Sequence, residues 1–352
     1  MAHSNGHKQR LLALETNSLD KEESPKSTAS ASPQQATEND VYHAYRLLLG
    51  RKPDADGFLH YRQRISEGLS LAALVQIFMG SDEYREHNDR TRLGHETSVD
   101  LGGYHVVVDR RDPDFGAVIA HSQIYEEPVR QVLRDRLVAD DVCLDIGANI
   151  GVMTLLAASL VGPGGRVIAV EPNPDNVQLL YKGLLRNRFT NVEVLPLAAA
   201  DRRAVFAMSG LSNTELVLPA AASSGGRLTQ SVILDEVLAN LSRLDFVKLD
   251  IEGQEPAALR GLQRLVAIHQ PTLLVEFNPR CLGHHREDES AFLDWILQRY
   301  PRVRAISHFG DDQQFTNSTD LLTFWHRRAT EVTSAGSLPE GMLHFDLVTE
   351  QS

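Results

Sequence analysis

Cysteine is scarce: the 352 residues carry two, Cys143 and Cys281, and no CxxC pair. That excludes a disulfide framework and a thiolate zinc cluster. A reducing compartment is the default expectation. No run of about 18 apolar residues occurs, so no membrane-spanning helix is expected. The first ten residues, Met1 to Arg10, are polar and lack the apolar core of a signal peptide. A cytoplasmic location follows by default. Positive charge is also short: 35 Lys and Arg face 47 Asp and Glu, a formal net charge of -12. A general nucleic-acid binder needs basic patches to meet phosphates, so no nucleic-acid partner is expected. What is present is an ordinary apolar fraction, 42%, enough for a sizeable core. The length allows one large domain or two modest ones. No internal repeat shows at a fixed period.

Residues 1–38 are rich in Ser, Glu, Lys, Gln and Ala, with Pro25 and Pro33. Such a stretch buries too little apolar surface to offset its ordering entropy and reads as a disordered tail. Within it, Leu11-Leu12-Ala13-Leu14 offers a transient helix or docking peptide at most. Residues 39–95 read as a small helical module. Val41, Tyr42, Tyr45, Leu47, Leu48 and Leu49 keep helical spacing. Gly50, Pro53 and Gly57 punctuate a turn. A second helix runs through Phe58, Tyr61 and Ile65. Ser70 caps a third with Leu74, Val75 and Phe78, and Ser81-Asp82 start a fourth around Tyr84. The acidic turn Asp54-Ala55-Asp56-Gly57 fails as a calcium loop. An EF-hand needs glycine at position 6 and Glu at position 12, and here glycine stands fourth and Ile65 twelfth. The pattern from Tyr45 to Gly57, continuing to Ser81-Asp82-Glu83-Tyr84, resembles a short helical repeat of bacterial surface and glycan-related proteins. It implies a protein partner or self-association through residues 39–88.

From residue 96 strands and helices alternate, which implies a parallel sheet with helices on both faces. Strands are expected at Val142–Asp145, Arg166–Glu171, Val192–Leu197, Phe246–Asp250, Thr272–Glu276 and Val303–Ser307. Helices are expected at Val152–Val161, Asp175–Arg188 and Glu289–Tyr300. Leu321–Trp325 reads as a closing antiparallel strand.

The first of these strands runs straight into Asp145-Ile146-Gly147-Ala148-Asn149-Ile150-Gly151. Glycines there let the backbone approach a ligand beyond the carboxyl ends of the strands. A pyrophosphate cofactor asks for GxGxxG. Here Asp145 replaces its first glycine, and an acid repels a pyrophosphate. S-adenosylmethionine has no phosphate and carries a sulfonium and an ammonium, so the acidic loop suits it better. Glu171 ends the second strand, where a carboxylate accepts ribose hydroxyls in nucleotide-binding sheets.

A second cluster stands at Lys248-Leu249-Asp250-Ile251-Glu252-Gly253-Gln254-Glu255. Strand periodicity puts Lys248, Asp250 and Glu252 on one face. Crowded charges are costly unless they pair, coordinate or meet a polar ligand. Functional sites are where that cost is tolerated.

With both clusters in view, residues 103–325 resemble the FkbM family of methyltransferases. The matching pieces are Ile124-Tyr125-Glu126-Glu127-Pro128, the Asp145–Gly151 loop, Val170-Glu171-Pro172-Asn173, Leu234-Asp235-Glu236, Val247–Gly253, Leu259-Arg260-Gly261 and Leu274-Val275-Glu276. The resemblance implies an α/β class I methyltransferase fold, Rossmann-like, with a seven-stranded, mostly parallel sheet over residues 96–330. The small N-terminal all-α module would precede it and a C-terminal extension, 331–352, follow it. It implies S-adenosylmethionine as methyl donor, held by Tyr125, Glu126, Asp145, Gly147, Asn149, Gly151, Glu171, Asn173, Asp201 and Asp250. Asp201 takes the place of an acid near the adenine amino group. It further implies a hydroxyl acceptor on a glycan, polyketide or other small molecule.

A hydroxyl acceptor benefits from a general base. Asp250 is the leading candidate, with orienting the acceptor or holding the donor's amino-acid part as alternatives. Lys248 either tunes a neighbouring carboxylate or binds a substrate anion. Glu276 is placed to pair with Lys248, and His284-His285 to lie near the acceptor. Asp250, Glu252 and Glu276 together have the oxygen chemistry for Mg²⁺, although no spacing demands a metal. Two rival readings remain: a nicotinamide-dependent oxidoreductase, which predicts the missing GxGxxG, and a non-catalytic binding module.

Overall fold

The computed structural model describes residues 35–49, 51–84, 95–113, 115–209, 215–217, 227–339 and 341–350. Most of the expected tail, with Leu11–Leu14, lies outside them. The chain divides into two compact units, residues 1–97 and 98–352.

The first unit is helical. Helix α1 spans Glu38–Leu48, α2 Ala55–Ser66 and α3 Leu71–Gly80. Each starts on a side-chain cap. Thr37 and Asp40 form a reciprocal capping box. Asp54 accepts the Gly57 amide at 2.8 Å, and Ser70 accepts that of Ala73 at 3.2 Å. The acidic turn is therefore a helix cap. Tyr45, Tyr61 and Phe78 pack ring against ring, with centroids 4.9 Å apart for Tyr45 and Phe78 and 5.0 Å for Tyr61 and Phe78.

In the second unit a two-stranded sheet, β1 (Glu96–Asp100) with β2 (His105–Asp109), leads to α4 (Gly116–Ser122) and α5 (Glu127–Arg136). Strands β3 (Val142–Ile146), β4 (Arg166–Val170) and β5 (Val192–Leu195) alternate with helices α6 (Val152–Val161) and α7 (Pro174–Asn187). A four-stranded excursion follows: β6 (Ala198–Ala199), β7 (Val205–Ser209), β8 (Glu215–Val217) and β9 (Arg227–Val232). The chain then returns through α8 (Leu234–Val237), β10 (Phe246–Leu249), α9 (Glu255–Arg260), α10 (Gln263–His269), β11 (Thr272–Phe277), α11 (Pro279–His284) and α12 (Glu289–Leu297). It closes with β12 (Arg302–Ile306), β13 (Asp312–Phe315), α13 (Ser318–Ser334) and β14 (Phe345–Glu350).

The main sheet has the order β13-β12-β14-β11-β10-β3-β4-β5. From β11 to β5 every pairing is parallel. These strands read as unbroken apolar runs because helices cover both faces. Helix α6 is apolar all round and almost wholly buried, as expected of a helix with no solvent face. Leu144, Ile146, Val247, Leu249, Leu273, Val275 and Phe277 are all in the central core. Among the described residues no helix is long and apolar enough to cross a membrane.

Two features depart from the sequence expectation. Leu321–Trp325 lies within α13 and is not a strand; Leu321 and Trp325 are buried one helical turn apart. The antiparallel strand is β14, inside the stretch read as a C-terminal extension. It inserts between β11 and β12. The sheet also gains the edge strand β13 beyond the expected seven.

Candidate active site

The parallel strands end along one edge, and Gly147, Asn149, Lys248, Asp250 and Glu276 collect there. After β3 the chain turns through Gly147 at φ 80°, Asn149 at φ 50° and Gly151 at φ 94°. A Cβ on Gly147 would overlap the carbonyl oxygen of Asp250. Glycine is needed at this point because the backbone after β10 already fills the space. A Cβ on Gly151 would run into Leu180 of α7. The loop is fastened by Glu171. Its carboxylate accepts the Asn149 amide at 2.8 Å, the Asn173 amide at 2.8 Å and the Asn176 side-chain amide at 3.4 Å. Burial pushes the Glu171 carboxyl up to about 7, against the pull of those amides. Asn173 caps α7 by accepting the Asp175 amide at 3.0 Å.

Asp145 lies beneath the loop, fully buried. Its Oδ2 accepts the Thr154 hydroxyl at 2.6 Å. Its Oδ1 has no hydrogen-bond partner and sits 3.8 Å from the Lys248 ammonium. Burial raises its pKa, with Lys248 opposing. Lys248 is 6% exposed. It donates to Asp250 Oδ2 at 3.1 Å and to the Gly147 carbonyl at 3.3 Å. Burial disfavours its charge, but Asp250, Asp145 and Glu126 outweigh that and raise its pKa. Among the described residues its ion pairs are with Asp145 and Asp250. The expected pair with Glu276 does not form: Glu276 Oε1 accepts from Asn278 at 3.4 Å, and its Oε2 is buried without a partner.

A cavity of ≈ 240 Å³ opens over these groups. Glu126, Lys248, Asp250, Glu252 and Glu276 supply its charge, with Tyr125, Gly147, Asn149, Met153 and His344 on its walls. Glu126 stands at φ 42°, just before α5. Burial and then Asp250 push its carboxyl up to about 7. Tyr125 stacks against Phe115 with centroids 4.7 Å apart, and burial, then Glu126, raise its phenol pKa. Asp145, Gly151, Glu171, Asn173 and Asp201 do not line this cavity. The first four are buried just behind it, at the roots of the loop and α7. Asp201 is elsewhere: its carboxylate pairs with Arg260 at 2.9 Å, a partly exposed contact.

Glu252 does not extend the strand as expected, because β10 ends at Leu249. Its backbone is left-handed, at φ 58°, and its carboxylate takes the Cys281 thiol at 3.6 Å. Glu255 lies under this turn, accepting the Ile251 amide at 2.7 Å and the Gly253 amide at 3.2 Å. Burial drives it up to about 8. His284 is exposed and His285 meets Gln254 at 3.3 Å; neither lines the cavity. The sequence reading missed His344 and Asp346. The run Phe345-Asp346-Leu347-Val348 has strand composition, but nothing in it points back along the chain to Asp250.

A cavity lined by four carboxyl side chains and one ammonium is short of positive charge. That donor set fits a sulfonium and ammonium ligand and opposes a pyrophosphate. Together with the sheet order, it defines a class I S-adenosylmethionine-dependent methyltransferase domain. Residues 145–300 match the family model described as methyltransferase FkbM domain, and residues 24–88 match a domain of unknown function (DUF4214). Within the second unit, residues 145–300 are thus similar to FkbM methyltransferase domains, and a small separate module precedes them. No curated protein matches the sequence. Among solved structures, a methyltransferase FkbM from Methylobacillus flagellatus KT is similar at 18% identity and TM-score 0.38, over 77% of this chain and 57% of that one. A precorrin-6y methyltransferase from Geobacter metallireducens GS-15 is similar at 15% and 0.34, over 66% and 92%. A 16S rRNA methyltransferase from T. thermophilus, solved with AdoMet and guanosine, is similar at 14% and 0.35, over 73% and 50%. The chain spans 57% of the length of the first of these.

Proposed function

We propose that the protein transfers a methyl group to a hydroxyl oxygen of a small-molecule or glycan acceptor. The observation that carries this reading is the pair of carboxylates, Asp250 and Glu126, on the wall of one cavity at the ends of β3 and β10. S-adenosylmethionine supplies an activated methyl on a sulfonium, so positioning accounts for much of the rate.

Gly147, Asn149 and Gly151 shape the loop that receives the donor, with Asp145 buried beneath as their charge balance. Glu171 follows β4, the position from which a carboxylate accepts ribose hydroxyls in nucleotide-binding sheets, which supports it as the donor's ribose partner. Asp250 is held by Lys248 at 3.1 Å, which fixes its direction. Its role is to accept a hydrogen bond from the acceptor hydroxyl and orient it. Glu126, pushed up to about 7, has the value that suits a general base near neutral pH. It would take the hydroxyl proton as the oxygen bonds to the methyl carbon, whose bond to sulfur breaks to leave a neutral thioether. Tyr125 and Phe115 give that side of the cavity an apolar wall.

Two measurements test the reading. Calorimetric titration with S-adenosylmethionine and with NAD separates it from an oxidoreductase; NAD binding without S-adenosylmethionine binding would sink it. Untargeted mass spectrometry of metabolites and surface polysaccharide, from a strain lacking the gene and from its parent, then finds the acceptor. A product lighter by one CH₂ unit in the deletion strain is expected. An unchanged product set in both fractions counts against the proposal.

A further inference from the structure

Strand β14 runs against β11 and β12, which brings residues from the far end of the chain to the edge where the parallel strands stop. Asp346 is paired with Glu276 on one side and Ile306 on the other. His344 precedes it by two residues, and His308 follows the end of β12 by two. One ligand atom from each of His308, His344 and Asp346 lies within 4.8 Å of the others. The two imidazoles meet edge to face with centroids 5.8 Å apart.

We propose that His308, His344 and Asp346 form a binding site for a divalent transition-metal ion, with Zn²⁺ as its best-matched occupant. Two imidazoles and a carboxylate are the donors such ions prefer, and three protein ligands leave a position open. An independent observation points the same way. Asp346 is 8% exposed, and among the described residues no hydrogen bond or ion pair is made to its carboxylate. A buried carboxylate without a donor is costly, and a cation removes that cost.

Tetrahedral Zn²⁺ ligand atoms stand roughly 3.3 Å apart at the usual bond lengths. The site must close somewhat, and His308 is the ligand free to move. It sits exposed at the rim of a turn pinned behind it, where the Ser307 hydroxyl donates to Asp311 at 2.6 Å. His344 also lines the acidic cavity beside Asp250. A cation here stands where it would polarise an acceptor hydroxyl. That consequence rests on the methyl-transfer reading; metal binding itself does not.

The test uses the full chain, stripped with EDTA and desalted, then titrated with Zn²⁺ by calorimetry at pH 7. Co²⁺, whose visible bands report its coordination, is titrated in parallel. Saturable binding at one ion per chain is expected. His308→Ala, in an exposed turn, leaves the fold intact by circular dichroism and weakens Zn²⁺ binding at least about tenfold. Asp346→Asn does the same and abolishes the Co²⁺ bands. Absence of saturable Zn²⁺ binding overturns the proposal, as does binding of wild-type strength in both variants. S-adenosylmethionine titrated in the same samples keeps the two readings apart. Zn²⁺ binding without S-adenosylmethionine binding would remove the methyl-transfer reading and leave the metal site standing.

Discussion

A side chain of even one carbon on Gly147 would overlap the carbonyl oxygen of Asp250. The loop after β3 and the charged turn after β10 are thus in backbone contact, and Lys248 ties them again by donating to the Gly147 carbonyl. Gly147→Ala is strained twice, by φ 80° and by this overlap. A positive-φ alanine alone costs about 1 kcal/mol, and displacement of Asp250 adds to it. The expected outcome is a melting temperature several degrees lower and S-adenosylmethionine affinity reduced at least about tenfold, since the loop and Asp250 move together. Scanning calorimetry and titration calorimetry check both.

Lys248→Met removes the one ammonium between Asp145 and Asp250. Breaking a buried pair from one side costs about 3–5 kcal/mol, because the other charge is left uncompensated. Burial already raises the pKa of Asp145, and loss of Lys248 raises it further. A carboxyl raised in the folded state contributes stability that is complete below its unfolded value and is lost as pH rises. The variant's deficit in urea unfolding should therefore be smaller at pH 5 than at pH 8. An equal deficit at both would show that Lys248 acts by packing alone.

Much of this was legible in the sequence, and the limits have physical causes. The apolar runs at Val142, Val167 and Phe246 marked strands because both faces of a parallel sheet are covered. The Asp145–Gly151 and Lys248–Gly253 motifs were legible because sharp turns at strand ends restrict residue type. Leu321–Trp325 misled because its apolar residues fit a buried helix stripe as well as a strand, and period alone does not separate short runs. β14 was missed because it is the last element and pairs with strands far back in the chain. The roles of Glu276, His344 and Asp346 depend on that pairing, since Glu276 meets Asp346 only through the sheet register. Gly147 was read as making room for a ligand, whereas its immediate constraint is the Asp250 carbonyl.

Stability and donor binding should respond to pH with opposite signs. Glu126 and Glu171 are pushed up to about 7 and Glu255 up to about 8. Their unfolded values lie near about 4.3. Between those limits the folded state holds more protons than the unfolded one, so stability without ligand falls as pH rises. A cationic ligand favours the ionised carboxyls beside it. Its affinity therefore rises with pH through about 7, as Glu126 ionises, and its binding releases protons. Urea titrations from pH 5 to pH 9 should show the first trend. Calorimetry in buffers of different ionisation heat should show the second, and flat affinity across neutral pH would contradict it.

Glu126 and Asp250 share a wall of the cavity but differ in electrostatic setting, and that difference separates their roles. Asp250 is bound by an ammonium at 3.1 Å; among the described residues Glu126 makes no ion pair, and burial and then Asp250 push its carboxyl up to about 7. Glu126→Gln removes the proton acceptor while keeping shape. The maximal rate on the acceptor should fall by about 10²–10⁴, and the rise of kcat/KM with pH through neutrality should disappear. Donor affinity should fall less. Asp250→Asn keeps a hydrogen-bond acceptor but frees Lys248 from one partner. Its rate should fall while the pH rise persists, because Glu126 still titrates. Single-turnover assays across pH, on the acceptor found by mass spectrometry, check the pair. Loss of the pH rise in Asp250→Asn and its retention in Glu126→Gln would reverse the two assignments.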